Sequence, residues 1–195
     1  MTQSATSASA RRQTTSRRIT TCAQRLADEH GLDGFTMDEL AAAADVSRRT
    51  LFNYFPGKLD AVLGEMPCLD DAVLEEFRAG GPSGVLIDDL GVLADTLLTA
   101  NDLERGEAAR VRRIMRQPKL LAATHERFEV VGAQFVEEIR RREGAAFDER
   151  QAQVAVGLLL LLFGTSLEAF LTDPRARPMN ELYAEDLRAA RALFA

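Results

Sequence analysis

Two helix starts eleven residues apart, with a helix stop behind them, constrain this chain more than any other feature. Thr36 is followed three residues on by Glu39, the spacing of a capping box in which each side chain satisfies the other's backbone N–H. Ser47 is the matching N-cap of a second short helix, Arg48–Phe55, which Pro56-Gly57 ends. Met37, Leu40, Ala41 and Ala44 line one face of the first segment, and Leu51 and Phe55 point inward at i, i+4 on the second. Only Asp45-Val46 is left between them for a turn. Two helices of about eight residues joined so tightly form a helix-turn-helix.

The rest of the chain reads as helix after helix, without strand alternation or an internal repeat. Residues 1–14 form a loose polar arm. A first helix over 15–30 places Ile19, Cys22, Ala23, Leu26 and Ala27 at core spacing, and Gly31 and Gly34 end it. A fourth helix opens near Lys58 with Leu59, Val62, Leu63 and Met66 inside. Longer amphipathic helices follow at about 68–79, 84–100, 103–116, 119–143, 148–172 and 180–194, separated by Gly and Pro breakers. The predicted fold is all-α: an arm (1–14), a three-helix helix-turn-helix domain (15–58), and a further helical domain (59–195). The helix over 148–172 is apolar nearly all round in its middle, which in so small a protein implies a partner subunit.

Composition narrows the function classes. Cys22 and Cys68 form no CxxC pair, and two histidines sit apart from any ligand-spaced cluster, so no metal site or disulfide scaffold is expected. The N-terminus lacks the apolar core of a signal peptide. The longest apolar run, Val154–Gly164, falls short of the roughly 20 residues a membrane span needs. These features predict a cytoplasmic protein with no membrane partner. Net charge is −6, yet residues 1–60 carry +1 and the remainder −7. Val46–Leu59 holds Arg48, Arg49 and Lys58 and no acid, a local basic face on an acidic body.

That face suits DNA. Arg48 and Arg49 stand at the start of the second helix, where a guanidinium can fork onto guanine O6 and N7. One turn on, Phe52 can meet thymine methyls, and Asn53 can read adenine or hold a phosphate. Thr36 and Thr50 offer donors to phosphates, and Tyr54 and Lys58 flank the groove and grip the backbone. Arg11, Arg12, Arg17 and Arg18 form either a minor-groove arm or a plain solvated tail. Met115, Phe128, Phe135, Phe163 and Phe170 are candidates for a ligand cavity, with ordinary core packing as the alternative.

The stretch GFTMDELAAAADVSRRTLFNYFPGKLDAVL resembles the N-terminal domain of the TetR/AcrR family. The likeness rests on the Ala-rich helix ending A-x-V-S, on T-L-F-x-Y-F, and on P-x-K opening the fourth helix, and covers about residues 15–66. It implies a homodimer that binds a palindromic operator on double-stranded DNA, with Thr36, Arg48, Arg49, Thr50, Phe52, Asn53, Tyr54 and Lys58 at the family's DNA-contact positions. It also implies that 59–195 is a ligand-binding and dimerisation domain, with a dimer interface built from about 148–172 and 180–194, and release by an unidentified small-molecule effector. Two departures stand out: Gly57 replaces a common capping Ser, and Pro67 lies where the fourth helix usually continues. No cofactor is expected. The rival readings are a helix-turn-helix adaptor that binds a protein partner and an all-helical enzyme. For the enzyme no nucleophile–base pair or phosphate loop is found, and the pairs Asp88-Asp89 and Glu137-Glu138 read as solvated charge.

Overall fold

The computed structural model describes residues 2–66, 68–100, 104–144, 146–173, 175 and 177–194, with side chains between residues 11 and 193. In chain order the helices are α1 (Thr2–His30), α2 (Met37–Ala43), α3 (Arg48–Tyr54), α4 (Lys58–Leu63), α5 (Asp71–Arg78), α6 (Leu86–Ala100), α7 (Arg105–Ile114), α8 (Pro118–Glu143), α9 (Glu149–Thr172) and α10 (Met179–Phe194). No strand occurs among the described residues. The all-α class is as expected, and every predicted helix from the second onward is present. Residues 2–14, expected as a loose arm, instead continue α1.

The chain divides into two compact units, and the division differs from the expected boundary at 58/59. One unit contains residues 1–66 together with 106–125, and the other contains 67–105 and 126–195. The core of the first unit explains why 106–125 belongs there. Ile19, Ala23, Leu26 and Ala27 of α1 pack with Leu40, Ala41 and Ala44, with Leu51 and Phe55, and with Ala61 and Val62. Ile114 and Leu120 complete the same core, each almost wholly removed from water.

Polar contacts reinforce that arrangement. Gln117 Nε2 donates to the Ala27 carbonyl (3.2 Å), and its Oε1 accepts from the Leu32 backbone N–H (3.0 Å). On either side, Arg113 pairs with Asp28 (2.6 Å) and Lys119 with Asp33 (2.7 Å). The segment 113–119 therefore clasps the turn between α1 and α2.

Within that turn Gly34 is required by space. A Cβ there would lie 2.0 Å from the His30 carbonyl oxygen. α4 ends at Gly64, whose φ of +73° suits glycine, three residues ahead of Pro67. The glycine thus stops the fourth helix first, and Pro67 lies outside the described residues.

In the second unit, Phe77, Leu90, Leu93, Ile139, Ala152 and Val156 form one apolar cluster, and Leu162, Tyr183, Leu187 and Ala190 another. α10 packs on α9 and α6. Burial raises the Tyr183 phenol to about 12. Of the two pairs read as solvated charge, Asp88, Asp89 and Glu138 prove to be structural, while Glu137 is half exposed. Asp89 is fully buried, pairs with Arg142 at 2.6 Å, and accepts from the Ser83 N–H at 2.7 Å. Burial opposes its ionisation, but Ser83 and Arg142 outweigh that and hold its carboxyl below the usual range. Arg142 also donates to the carbonyls of Phe77, Gly80 and Gly81, fastening the α5–α6 loop to the end of α8. Glu138 makes a two-pronged pair with Arg78, and Asp88 pairs with Arg191.

α9 shows two faces. Ala152, Val156, Leu162, Ser166 and Phe170 are buried, whereas Val154 (65%) and Leu161 (67%) are exposed. Gly157 and Gly164 complete a stripe with Val154 and Leu161, and a Cβ added at either glycine meets nothing within 4 Å. By length and composition alone α9 is apolar enough to cross a membrane, because the apolar stretch of this 24-residue helix extends beyond the eleven-residue run Val154–Gly164.

Candidate nucleic-acid interface

The interface is built from the capped starts of α2 and α3. The Thr36 hydroxyl accepts from the Glu39 N–H (3.2 Å), and Glu39 Oε2 accepts from the Thr36 N–H (2.7 Å), so the expected capping box is formed. The bonds from Thr36 hold the Glu39 carboxyl below its ordinary value. Ser47 caps α3 by accepting from the Thr50 N–H at 3.0 Å. Between the helices the Ala44 N–H closes on the Leu40 carbonyl, and the Val46 N–H on that of Ala41. Asp45 takes φ +50°, a left-handed conformation that Asp tolerates better than bulkier residues.

This framework turns α3 so that Leu51 and Phe55 enter the core while Arg48, Arg49, Phe52 and Asn53 face solvent. The four residues expected to read bases therefore share one exposed helical face. Phe52 is 43% exposed, so part of its ring is open to a partner. Arg48 donates to Asp38 of α2 at 3.1 Å, and its guanidinium lies over the Phe52 ring, 5.6 Å from the centroid.

The flanking residues are more engaged than their sequence suggests. Lys58 Nζ donates to the Phe35 carbonyl at 2.8 Å and sits over the Phe35 ring. Thr50 Oγ1 lies 2.7 Å from the Ser47 hydroxyl, and the Thr36 hydroxyl donates to Glu39. Tyr54 is half-buried and packs against the core, and Arg12 of α1 stacks on its ring at 4.8 Å. Arg12, expected on an arm or a solvated tail, is thus part of a helix packed beside α3. As expected, Gly57 caps α4 without a side-chain bond.

Asp38, Gln117, Arg113 and Lys119 were not anticipated. A short-range reading can place Asp38 on an exposed face. The other three belong to the framework only through contacts between residues some 85 positions apart.

The five residues expected around a ligand divide between the two units, Met115 in the first and the four phenylalanines in the second. Met115 belongs to the first unit, where it packs on the core and receives the Thr124 hydroxyl at 3.0 Å. Phe128 and Phe163 meet with ring centroids 6.2 Å apart. Phe135 packs in the Phe77 cluster, and Phe170 is buried beneath the Arg105 guanidinium. Among the described residues no group of three or more His, Cys, Asp or Glu is placed to hold a metal ion.

Residues 19–63 match the family model described as bacterial regulatory proteins, tetR family. No curated protein matches the chain. A crystal structure of Thermus thermophilus FadR, described as a TetR-family transcriptional repressor in complex with lauroyl-CoA, aligns with a TM-score of 0.51 at 25% identity. The alignment covers 88% of this chain and 91% of that one. A putative TetR-family regulator from Mesorhizobium loti MAFF303099 shares the fold, with a TM-score of 0.50 at 19% identity over 94% of this chain and 98% of its own. The capped helix-turn-helix at residues 19–63 is thus similar to that of the tetR family of bacterial regulatory proteins, and the chain shares the all-helical fold of the TetR-family regulators it aligns with.

Proposed function

We propose that the chain is a cytoplasmic repressor that binds a palindromic operator as a homodimer and leaves it when a small molecule binds the second unit. The exposed face of α3 carries the reading: Arg48, Arg49, Phe52 and Asn53 face solvent together on a helix whose opposite side is fixed in the core. Arg48, Arg49, Phe52 and Asn53 meet base edges in the major groove. Thr36, Thr50, Tyr54 and Lys58 meet the flanking phosphates. Lys58 spends one of its three donors on Phe35 and keeps two for phosphate. Phosphate at Thr36 or Thr50 shares donors now held by Glu39 or Ser47.

The Val154, Gly157, Leu161 and Gly164 stripe on α9 supports dimerisation through α9 and α10, because an apolar stripe with glycine gaps suits close helix approach. The lauroyl-CoA held by the Thermus thermophilus protein supports an effector with an apolar part, which Phe128, Phe135, Phe163 and Phe170 are chemically suited to meet. Such a ligand shifts the protein toward a low-affinity conformation only by its differential affinity for the two states.

The test is binding of purified protein to DNA upstream of its own gene, titrated at several salt concentrations. Sequence-preferring, steeply salt-dependent binding is expected, since each neutralised phosphate releases counterions. Equal, salt-insensitive affinity for unrelated DNA overturns the reading.

A further inference from the structure

We infer that Asp38 is a specificity-setting residue that orients Arg48 for base reading and leaves Arg49 as the phosphate-binding partner. The inference rests on the DNA-reading role proposed above and refines it: of the two adjoining arginines placed there at base edges, Arg48 reads a base and Arg49 is reassigned to the phosphate backbone. Arg48 is held from two sides. Its Nη1 donates to Asp38 Oδ2 at 3.1 Å, and its guanidinium lies over Phe52. Asp38 stands in the first turn of α2, beside the capping box, where the helix dipole favours a carboxylate. Arg49 is exposed and makes no hydrogen bond or ion pair among the described residues.

The physical consequence differs for the two. A guanidinium held at one edge and one face keeps its remaining N–H groups in a defined direction, as a bidentate approach to guanine requires. Asp38 also opposes the use of Arg48 on phosphate, since a carboxylate beside the phosphate backbone is repelled. Asp38 thus lowers non-specific affinity while preserving the oriented contact, a repulsive element of the kind that specificity needs. Arg49 has no such restraint and follows the nearest phosphate. The Asp38–Arg48 pair is exposed on both sides, so its effect is expected in selectivity and only slightly in folding.

The test compares the full-length wild type with Asp38→Ala, Asp38→Asn, Arg48→Ala, Arg49→Ala and Asp38→Ala/Arg48→Ala. Each binds a preferred duplex selected from a random pool by the wild type, single-base variants of it, and unrelated DNA, over a range of salt. Arg48→Ala loses roughly ten- to a hundredfold of preference at one base position of each half-site. Arg49→Ala weakens all duplexes about equally and lowers the salt slope by about one per protomer. Asp38→Ala tightens binding to unrelated DNA by about two- to fivefold and narrows the preference at the Arg48 position by a similar factor. In the Arg48→Ala background the same Asp38 change leaves base preference unaltered, which a merely structural role for Asp38 does not predict. Asp38→Asn, which keeps an acceptor but loses the charge, falls between wild type and Asp38→Ala.

Unchanged selectivity in Asp38→Ala, together with loss of preference in Arg48→Ala, overturns the inference and leaves DNA reading by α3 standing. Loss of base preference in Arg49→Ala, with none in Arg48→Ala, overturns the division of roles. If neither arginine affects DNA binding, the proposed function itself fails.

Discussion

Gln117 lies 62 residues beyond the end of the helix-turn-helix at Phe55, yet its truncation is expected to weaken that module. In Gln117→Ala both bonds to the α1–α2 turn vanish. The two lost partners fare differently. The Ala27 carbonyl also accepts from the Gly31 N–H at 3.0 Å, so it stays satisfied. The Leu32 N–H loses its acceptor, and Leu32 is a buried residue. Leaving a buried donor unpaired costs about 1–3 kcal/mol, and the spare bond to Ala27 adds about 0.5–1 kcal/mol. Because the side chain is only half-buried and water can partly replace it, the lower half of that range applies, about 2 kcal/mol in all. For a chain of this size melting as one unit, that corresponds to a fall of roughly 4–8 °C in the melting midpoint. Thermal unfolding with hydrogen exchange at residues 31–36 reads the effect locally. Faster exchange there, with exchange in α9 and α10 unchanged, is the predicted pattern. A change below about 0.5 kcal/mol, or one spread evenly over both units, refutes the assignment of 106–125 to the DNA-binding core.

Three further outcomes follow from the same geometry. Gly34→Ala forces a Cβ to 2.0 Å from the His30 carbonyl oxygen, and urea unfolding is expected to register a loss of about 2 kcal/mol or more in the first unit. Leu161→Glu places a charge in the exposed stripe of α9, so light scattering should report conversion of a dimer to monomers with little change in helix content. The carboxyls of Asp28 and Asp33 are held below their usual range chiefly by hydrogen bonds from Arg113 and Lys119, and that of Glu39 by the Thr36 backbone. Groups with depressed folded values stabilise above their unfolded values and lose that contribution as pH falls through the folded ones. The first unit is therefore expected to weaken below about pH 4, and a pH-flat melting midpoint between about 5 and 2 contradicts this.

The helix-turn-helix was legible because its signals are local. Capping at Thr36 and Ser47, the i, i+4 pair Leu51 and Phe55, and the Pro56-Gly57 stop all act within a turn or two of chain. The later helices were legible for the same reason, since breakers and apolar periodicity bound them. What escaped depends on contacts distant in sequence. Nothing near Gln117 announces that its amide reaches Leu32, and nothing near Met115 says that it joins the core of the DNA-binding unit. Asp88-Asp89 has the appearance of solvated charge, and only Arg142, more than fifty residues later, makes burial of Asp89 tolerable. Residues 2–14 carry no apolar stripe, so their helix had no periodic signal. At the fourth helix Pro67 was the conspicuous breaker, but Gly64 ends it earlier by adopting a backbone conformation that glycine accepts readily.

Selection of a binding site from a pool of randomised duplexes tests the central claim most directly, performed with wild type and with the Arg48→Ala/Arg49→Ala double variant. The account predicts that the wild type enriches an inverted repeat whose half-sites lie about 10 base pairs apart, or a multiple of that. It also predicts that the double variant, with folding verified, enriches no such motif. Enrichment of the same motif by both proteins would contradict reading of DNA by the exposed face of α3.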